Sequence, residues 1–156
     1  MNTIMPADQV RDLADIAALE CLAEELGDIL GPGDVVLLEG PIGVGKTRLV
    51  SAFVAALGST DQVTSPTYTL MHVYETPSLP VLHLDAYRLS GVAEYLDLGA
   101  GDFAHDSITM VEWGDRVADA HPEHLGLVLE FGRSGETSRR CTIRRRGRSW
   151  PLPDTP

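Results

Sequence analysis

The segment Gly40-Pro41-Ile42-Gly43-Val44-Gly45-Lys46-Thr47 sets glycines, one ammonium group and one hydroxyl at the spacing G-x-x-x-x-G-K-[ST]. Glycines let a backbone wrap an anion without Cβ clashes, and successive N–H groups then converge on phosphate oxygens. A helix opening at Lys46 would add its positive end to that field. In such a loop the lysine reaches the β and γ phosphates of a nucleoside triphosphate, and the Thr47 hydroxyl can ligate Mg²⁺. Lys46 is the single lysine; the other 11 of the 12 basic residues are arginine. A Gly-rich turn with no ligand is the bland alternative, and the strand and helix patterns on either side disfavour it.

Two carboxylates follow at strand ends. Asp85 closes the apolar run Val81-Leu82-His83-Leu84, and Glu112 closes Ile108-Thr109-Met110-Val111, with Trp113 next. In open α/β sheets that edge of the strands is where ligands bind. Two acids there can divide the work, one on a metal and the other orienting or deprotonating water, in an order the spacing leaves open. Thr64-Ser65-Pro66-Thr67 offers hydroxyls in a loop that either senses a terminal phosphate or simply turns the chain into a strand. His121 and His124 flank Pro122 without the company a metal site needs and read as surface residues. His83 reads as packed rather than catalytic, and Cys21 and Cys141 as small core residues.

The elements that must position these groups are legible in outline. Apolar side chains recur at helical spacing from Asp12 to Leu30, and Gly31-Pro32-Gly33 stops that helix. Val35-Val36-Leu37-Leu38 is apolar throughout, as in a strand buried on both faces of a parallel sheet. A helix from about Lys46 to Leu57 follows the glycine loop. Tyr68 to Tyr74 reads as a strand, residues 91–105 as short helical pieces, and Gly114 to Ala120 as a short helix. Leu125 to Phe131 and Thr137 to Ile143, around Gly132–Glu136, suggest a closing hairpin. Strands alternating with helices predict an α/β fold: a mostly parallel central sheet flanked by helices, with a C-terminal antiparallel hairpin. Residues 1–11 are expected to be a flexible start, 12–144 a single domain and 145–156 a flexible tail.

A chain of 156 residues, 44% hydrophobic and 22% charged, has the composition of one globular domain rather than of a disordered or fibrous protein. The formal net charge of −11 is unevenly spread: residues 1–132 hold 21 acids and 5 bases, residues 133–156 hold 2 acids and 7 arginines. An acidic body excludes broad nucleic-acid binding. The arginine-rich end could touch RNA or an acidic partner, or form a solvated final strand. No apolar run approaches a membrane span, no secretory leader is apparent, and two cysteines make no framework, so a cytoplasmic protein without membrane contact is expected.

Taken in order, the phosphate loop Gly40–Thr47, Val63-Thr64-Ser65-Pro66-Thr67-Tyr68-Thr69-Leu70, His83-Leu84-Asp85-Ala86-Tyr87-Arg88-Leu89 and Val111-Glu112-Trp113 resemble the bacterial TsaE (YjeE) family. The likeness runs from roughly residue 12 to residue 143. It implies a P-loop NTPase fold binding ATP and Mg²⁺ on Pro41, Ile42, Gly43, Val44, Gly45, Lys46, Thr47 and Arg48. Thr47, Asp85 and Glu112 would serve the metal, Asp85 being the Walker-B-like acid, with Lys46, Asp85 and Glu112 as the catalytic set. Ser65 and Thr67 would lie on a switch-like loop, and Trp113 close to the nucleotide. The implied activity is an ATPase, weak alone, that works with TsaD and TsaB to sustain repeated threonylcarbamoylation of adenosine 37 in tRNA, touching tRNA only through that complex. Pro41-Ile42 and Val44 stand where the family often has Asp-Leu and Ala. A threonine often found early in the first helix is not evident, Leu19 lying near its place, and Arg140 is a further nucleotide-side candidate.

Two other classes fit the same loop. A small-molecule or nucleoside kinase would need an acceptor pocket and an arginine-bearing lid, and between Asp85 and Glu112 the sequence offers only Arg88. A nucleotide-gated binding module would release partners on binding alone. A GTPase is disfavoured, since Asn-Lys-x-Asp guanine readout needs a second lysine.

Overall fold

The computed structural model describes residues 7–66 and 70–153. Among the described residues seven strands form one sheet: β1 (Gln9–Leu13), β2 (Val35–Glu39), β3 (Met71–Tyr74), β4 (Val81–Asp85), β5 (Ile108–Glu112), β6 (His124–Phe131) and β7 (Arg139–Arg146), in the spatial order β1-β7-β6-β2-β5-β4-β3. The four central strands β6, β2, β5 and β4 run parallel, and the strands outside them pair antiparallel. The expected architecture holds, hairpin β6–β7 included, and the sheet is extended by two further antiparallel edge strands.

Continuous apolar runs become strands covered on both faces because alternate side chains point to opposite sides. Val36 and Leu38 of β2, Val81 of β4, and Ile108 and Met110 of β5 face the larger core, under helices α1 (Ile16–Ile29) and α2 (Lys46–Ala56). Val35, Leu37, Leu82, Leu84 and Val111 face the smaller one, which is closed by Tyr95 of helix α3 (Val92–Leu96), by Ala100, just before helix α4 (Gly101–Ala104), and by Val117 of the 3₁₀ helix Gly114–Ala120. Each fully buried Leu or Val contributes about 1.5–3 kcal/mol relative to exposure. Consequently His83, Asp85 and Glu112, in phase with Val81 and Met110, project toward the α1–α2 side, where the glycine loop lies.

The termini depart from expectation. Gln9–Leu13, placed in a flexible start and the first turn of the helix, pairs with β7 from Gln9↔Ile143 to Leu13↔Arg139. The helix therefore starts later, at Ile16, where the Asp15 carboxylate accepts the Ala18 N–H at 2.9 Å. The stretch expected to be a tail from 145 begins inside β7 and then folds back. Trp150 and Leu152 are buried in the larger core. Buried Arg145 donates from Nε to the Trp150 carbonyl at 2.7 Å and from Nη2 to the Leu152 carbonyl at 3.3 Å. Asp34, at the foot of β2, accepts from the Gly31 N–H (2.8 Å), Arg148 Nη1 (2.5 Å) and Trp150 Nε1 (3.4 Å). Cys141 is buried as expected, but Cys21 is exposed, since it lies off the Leu19, Leu22, Ala23, Leu26 stripe that α1 turns inward. Of the strand expected at 68–74, Tyr68 and Thr69 lie outside the described residues. Among the described residues no helix is long and apolar enough to cross a membrane.

Candidate functional site

The parallel strands β2, β4 and β5 deliver the glycine loop, Asp85 and Glu112 to one edge of the sheet, since all three end there. The loop leaves β2 at Gly40, whose φ of +143° and close approach to the Leu129 carbonyl (2.5 Å from an added Cβ) admit no side chain. Gly45, at φ +114°, is the left-handed N-cap of α2 and supplies no capping side chain. The first-turn N–H groups of that helix have no intrahelical acceptor, so they face the loop's concavity as donors.

Lys46 is buried, donating from Nζ to the carbonyls of Gly40 at 2.5 Å and Pro41 at 3.2 Å, with its ammonium 4.2 Å from the centre of the Trp113 ring. Burial pulls its pKa below the ordinary lysine value, opposed by the negative charges of Glu112, Asp85 and Asp115. Trp113 holds a left-handed backbone (φ +58°), uncommon for a residue with a side chain, and packs 4.9 Å from the Tyr87 ring.

Thr47 and Glu112 meet directly: the hydroxyl lies 3.0 and 2.9 Å from the two carboxylate oxygens. Asp85 is opposite Glu112 in the β4–β5 register, and both are buried. Its Oδ1 accepts the Tyr87 N–H at 2.9 Å, and its Oδ2 accepts the Ser65 hydroxyl at 3.3 Å, which ties the Thr64-Ser65-Pro66 loop to the strand end. A cavity of about 710 Å³ opens over these groups. Its walls include Ile42, Gly43, Val44, Gly45, Lys46, Thr47, Arg48, Ser65, Asp85, Glu112 and Trp113. Pro41 stands at the exposed rim and meets the site through its carbonyl. Thr67 lies outside the described residues.

Several wall residues were not singled out by type and spacing. Asp15, Ile16 and Leu19 bring the start of α1 to the cavity, Tyr87 follows Asp85, and Thr137 and Arg139 come from the hairpin. Of the two hairpin arginines, Arg139 rather than Arg140 reaches the site. Its Nε donates to the Val44 carbonyl at 2.6 Å, whereas Arg140 turns outward to Asp12 at 2.9 Å. Arg144 and Arg146 pair with Asp8, so much of the arginine run is engaged within the fold. His121 and His124, expected at the surface, are half-buried: Tyr95 and His121 Nε2 lie 2.7 Å apart, and His124 Nδ1 bonds the His121 carbonyl at 2.7 Å.

Residues 13–141 match the family model described as threonylcarbamoyl adenosine biosynthesis protein TsaE. The chain belongs to the TsaE family. Among curated relatives, the TsaE of Bacillus subtilis is 38% identical over 114 residues, 72% of this chain and 70% of that protein. The Streptomyces coelicolor TsaE is 36% identical over 141 residues, 85% and 94% of the two chains, and the Treponema pallidum TsaE is 38% identical over 104 residues, 66% and 76%. The crystal structure of Bacillus subtilis YdiB superposes with a TM-score of 0.73 at 27% identity, covering 93% of this chain and 90% of that one. All four motif segments fall within the residues matched to the TsaE model.

Proposed function

We propose that this TsaE-family chain binds ATP with Mg²⁺ in the cavity and hydrolyses it as an accessory of tRNA threonylcarbamoyladenosine formation at adenosine 37, acting in the cytoplasm with TsaD and TsaB. The observation that carries the nucleotide reading is the start of α2: an uncapped helix N-terminus at left-handed Gly45, beside buried Lys46, with Thr47 bonded to Glu112. The residues fit such a ligand. An added Cβ on Gly45 would meet nothing within 4 Å, and the loop from Gly43 to Thr47 lines a cavity of about 710 Å³. Thr47, Asp85 and Glu112 supply hard oxygen donors of the kind magnesium prefers.

The residues divide the task as follows. Lys46 exchanges the Gly40 and Pro41 carbonyls for phosphate oxygens, and its burial strengthens that charge–charge contact relative to water. Thr47, Asp85 and Glu112 would hold the cation, and a bound magnesium ion supplies positive charge at the phosphates. A carboxylate oxygen not engaged by the metal would orient the attacking water. Ser65, through its bond to Asp85, couples the loop before residue 67 to the acid that the nucleotide would sense. Trp113 and Tyr87 line the cavity, and Arg139 is bonded to the loop at the Val44 carbonyl. The kinase alternative gains no support: the segment between β4 and β5 packs its short helices on the smaller core through Tyr95 and Ala100 rather than forming a lid.

Reconstitution tests the reading. Purified chain, TsaD, TsaB, the threonylcarbamoyl donor and tRNA are expected to give multiple rounds of modification only with hydrolysable ATP. Lys46→Ala should leave a folded protein without sustained rounds. Full ATP turnover by Lys46→Ala alongside TsaD and TsaB would overturn the assignment, as would phosphorylation of a small acceptor faster than hydrolysis.

A further inference from the structure

His83 belongs to none of the motif roles above, yet it touches the acid at the centre of the site. It is fully buried in the middle of β4, and its Nε2 lies 2.6 Å from Glu112 Oε2. The carboxylate also receives the Thr47 hydroxyl, so Glu112 is held from two sides, by β4 and by the first turn of α2. The hydrogen-bond pattern assigns the tautomer. Glu112 accepts the Thr47 hydroxyl at both oxygens, so in the contact with His83 the hydrogen is placed on Nε2. Nδ1 is buried with no partner among the described residues, where a bare acceptor is less costly than an orphaned N–H. The ring itself is walled by His72, with centroids 6.5 Å apart at 78°, and by Tyr74 at 6.1 Å, which fixes the direction in which Nε2 points.

We propose that His83 is a positioning residue: its Nε2–H occupies Oε2 of Glu112, fixing the carboxylate plane so that Oε1 and the Thr47 hydroxyl are presented together to a phosphate-bound divalent cation. This rests on the nucleotide reading above. A carboxylate hydrogen-bonded from behind does not swing or rotate, so Oε1, beside the Thr47 hydroxyl, is preorganised for the metal. Outer-shell partners of this kind are typically worth about 10–100-fold in metal affinity.

Side-chain length supplies the test. The Gln amide nitrogen lies about as far along its chain as Nε2 of histidine, whereas the Asn nitrogen stops short. Mn²⁺ binding would be titrated by electron paramagnetic resonance in the presence of a non-hydrolysable ATP analogue, for wild type, His83→Gln, His83→Asn and His83→Leu. Analogue affinity in EDTA and thermal melting would be measured alongside. His83→Gln is expected within about threefold of wild type, and His83→Asn and His83→Leu weaker by about 10–100-fold, with analogue affinity in EDTA unchanged for every folded variant. Should His83→Leu fail to fold, the contrast between Gln and Asn carries the same test. Equal Mn²⁺ affinity in Gln and Asn variants would overturn the inference while leaving the nucleotide reading intact. Wild-type protein that binds neither Mn²⁺ nor the analogue would overturn both.

Discussion

The fold-back after β7 makes Trp150 a core residue, and its removal is a sharp test of that placement. Trp150 is 2% exposed, packs in the larger core, donates to Asp34 and offers its carbonyl to Arg145. Trp150→Ala keeps the carbonyl but deletes the indole, leaving a cavity and removing one of three donors from buried Asp34. Truncating a buried Trp costs about 3–5 kcal/mol, a large share of the roughly 5–15 kcal/mol that holds a domain together. With a urea m-value of about 2 kcal/mol/M, the unfolding midpoint should fall by roughly 2 M. The melting temperature should fall by about 6–20 °C, at 2–4 °C per kcal/mol for a chain of this size. Ending the chain after Gly147 should be worse, because Arg145 would lose two carbonyl acceptors while still buried. Far-UV circular dichroism is the suitable readout, since the substitution removes one of the two tryptophans. A midpoint within about 0.5 M of wild type for Trp150→Ala, at unchanged m, would refute the placement of this segment in the core.

Other outcomes follow from single contacts. Gly40→Ala should cost about 1–3 kcal/mol for backbone displacement, because the new Cβ would lie 2.5 Å from the Leu129 carbonyl; wild-type stability by urea titration would contradict this. Tyr74→Phe removes the hydroxyl that accepts the Thr64 N–H at 3.2 Å, so hydrogen exchange at the Thr64 amide should accelerate with little change in the β-sheet core. Burial, and secondarily the nearby His124, lowers the His121 pKa below the usual histidine value. The unfolded chain therefore takes up a proton that the folded one resists, and stability should fall as pH drops from about 6.5 through the lowered folded value. His121→Gln should flatten that slope in urea midpoints compared at pH near 7.5 and 5.5, and an unchanged slope would count against the half-buried Tyr95–His121 pair.

The parts of the fold legible in the sequence are those where periodicity and burial agree. β2 is a continuous apolar run and β4 and β5 are apolar but for His83 and Thr109, because both faces are covered, and their ends carry the loop, Asp85 and Glu112. β1 was illegible for a physical reason: Arg11 occupies an inward position, buried and bonded to Glu25 and to the Pro153 carbonyl, which breaks the apolar alternation expected of an edge strand. The Trp150–Leu152 fold-back has no periodicity, and its burial depends on Asp34 and Arg145, which lie far off or in another element. At the site, the motifs name the loop and acids. Leu19, Tyr87 and Arg139 reach the cavity only through packing, and Arg139 is hidden in sequence by the arginines beside it. His83 was legible as packed but not as a partner of Glu112, because the contact crosses from β4 to β5 at a stagger that register alone reveals.

The most direct measurement is calorimetric titration of the chain with ATP and magnesium, set beside the same titration of Lys46→Ala. A single saturable site in the wild type, lost or weakened at least tenfold (about 1.4 kcal/mol) in a variant that melts like wild type, is the predicted result. No binding in the wild type at millimolar nucleotide, or equal binding in the two proteins, would contradict the account.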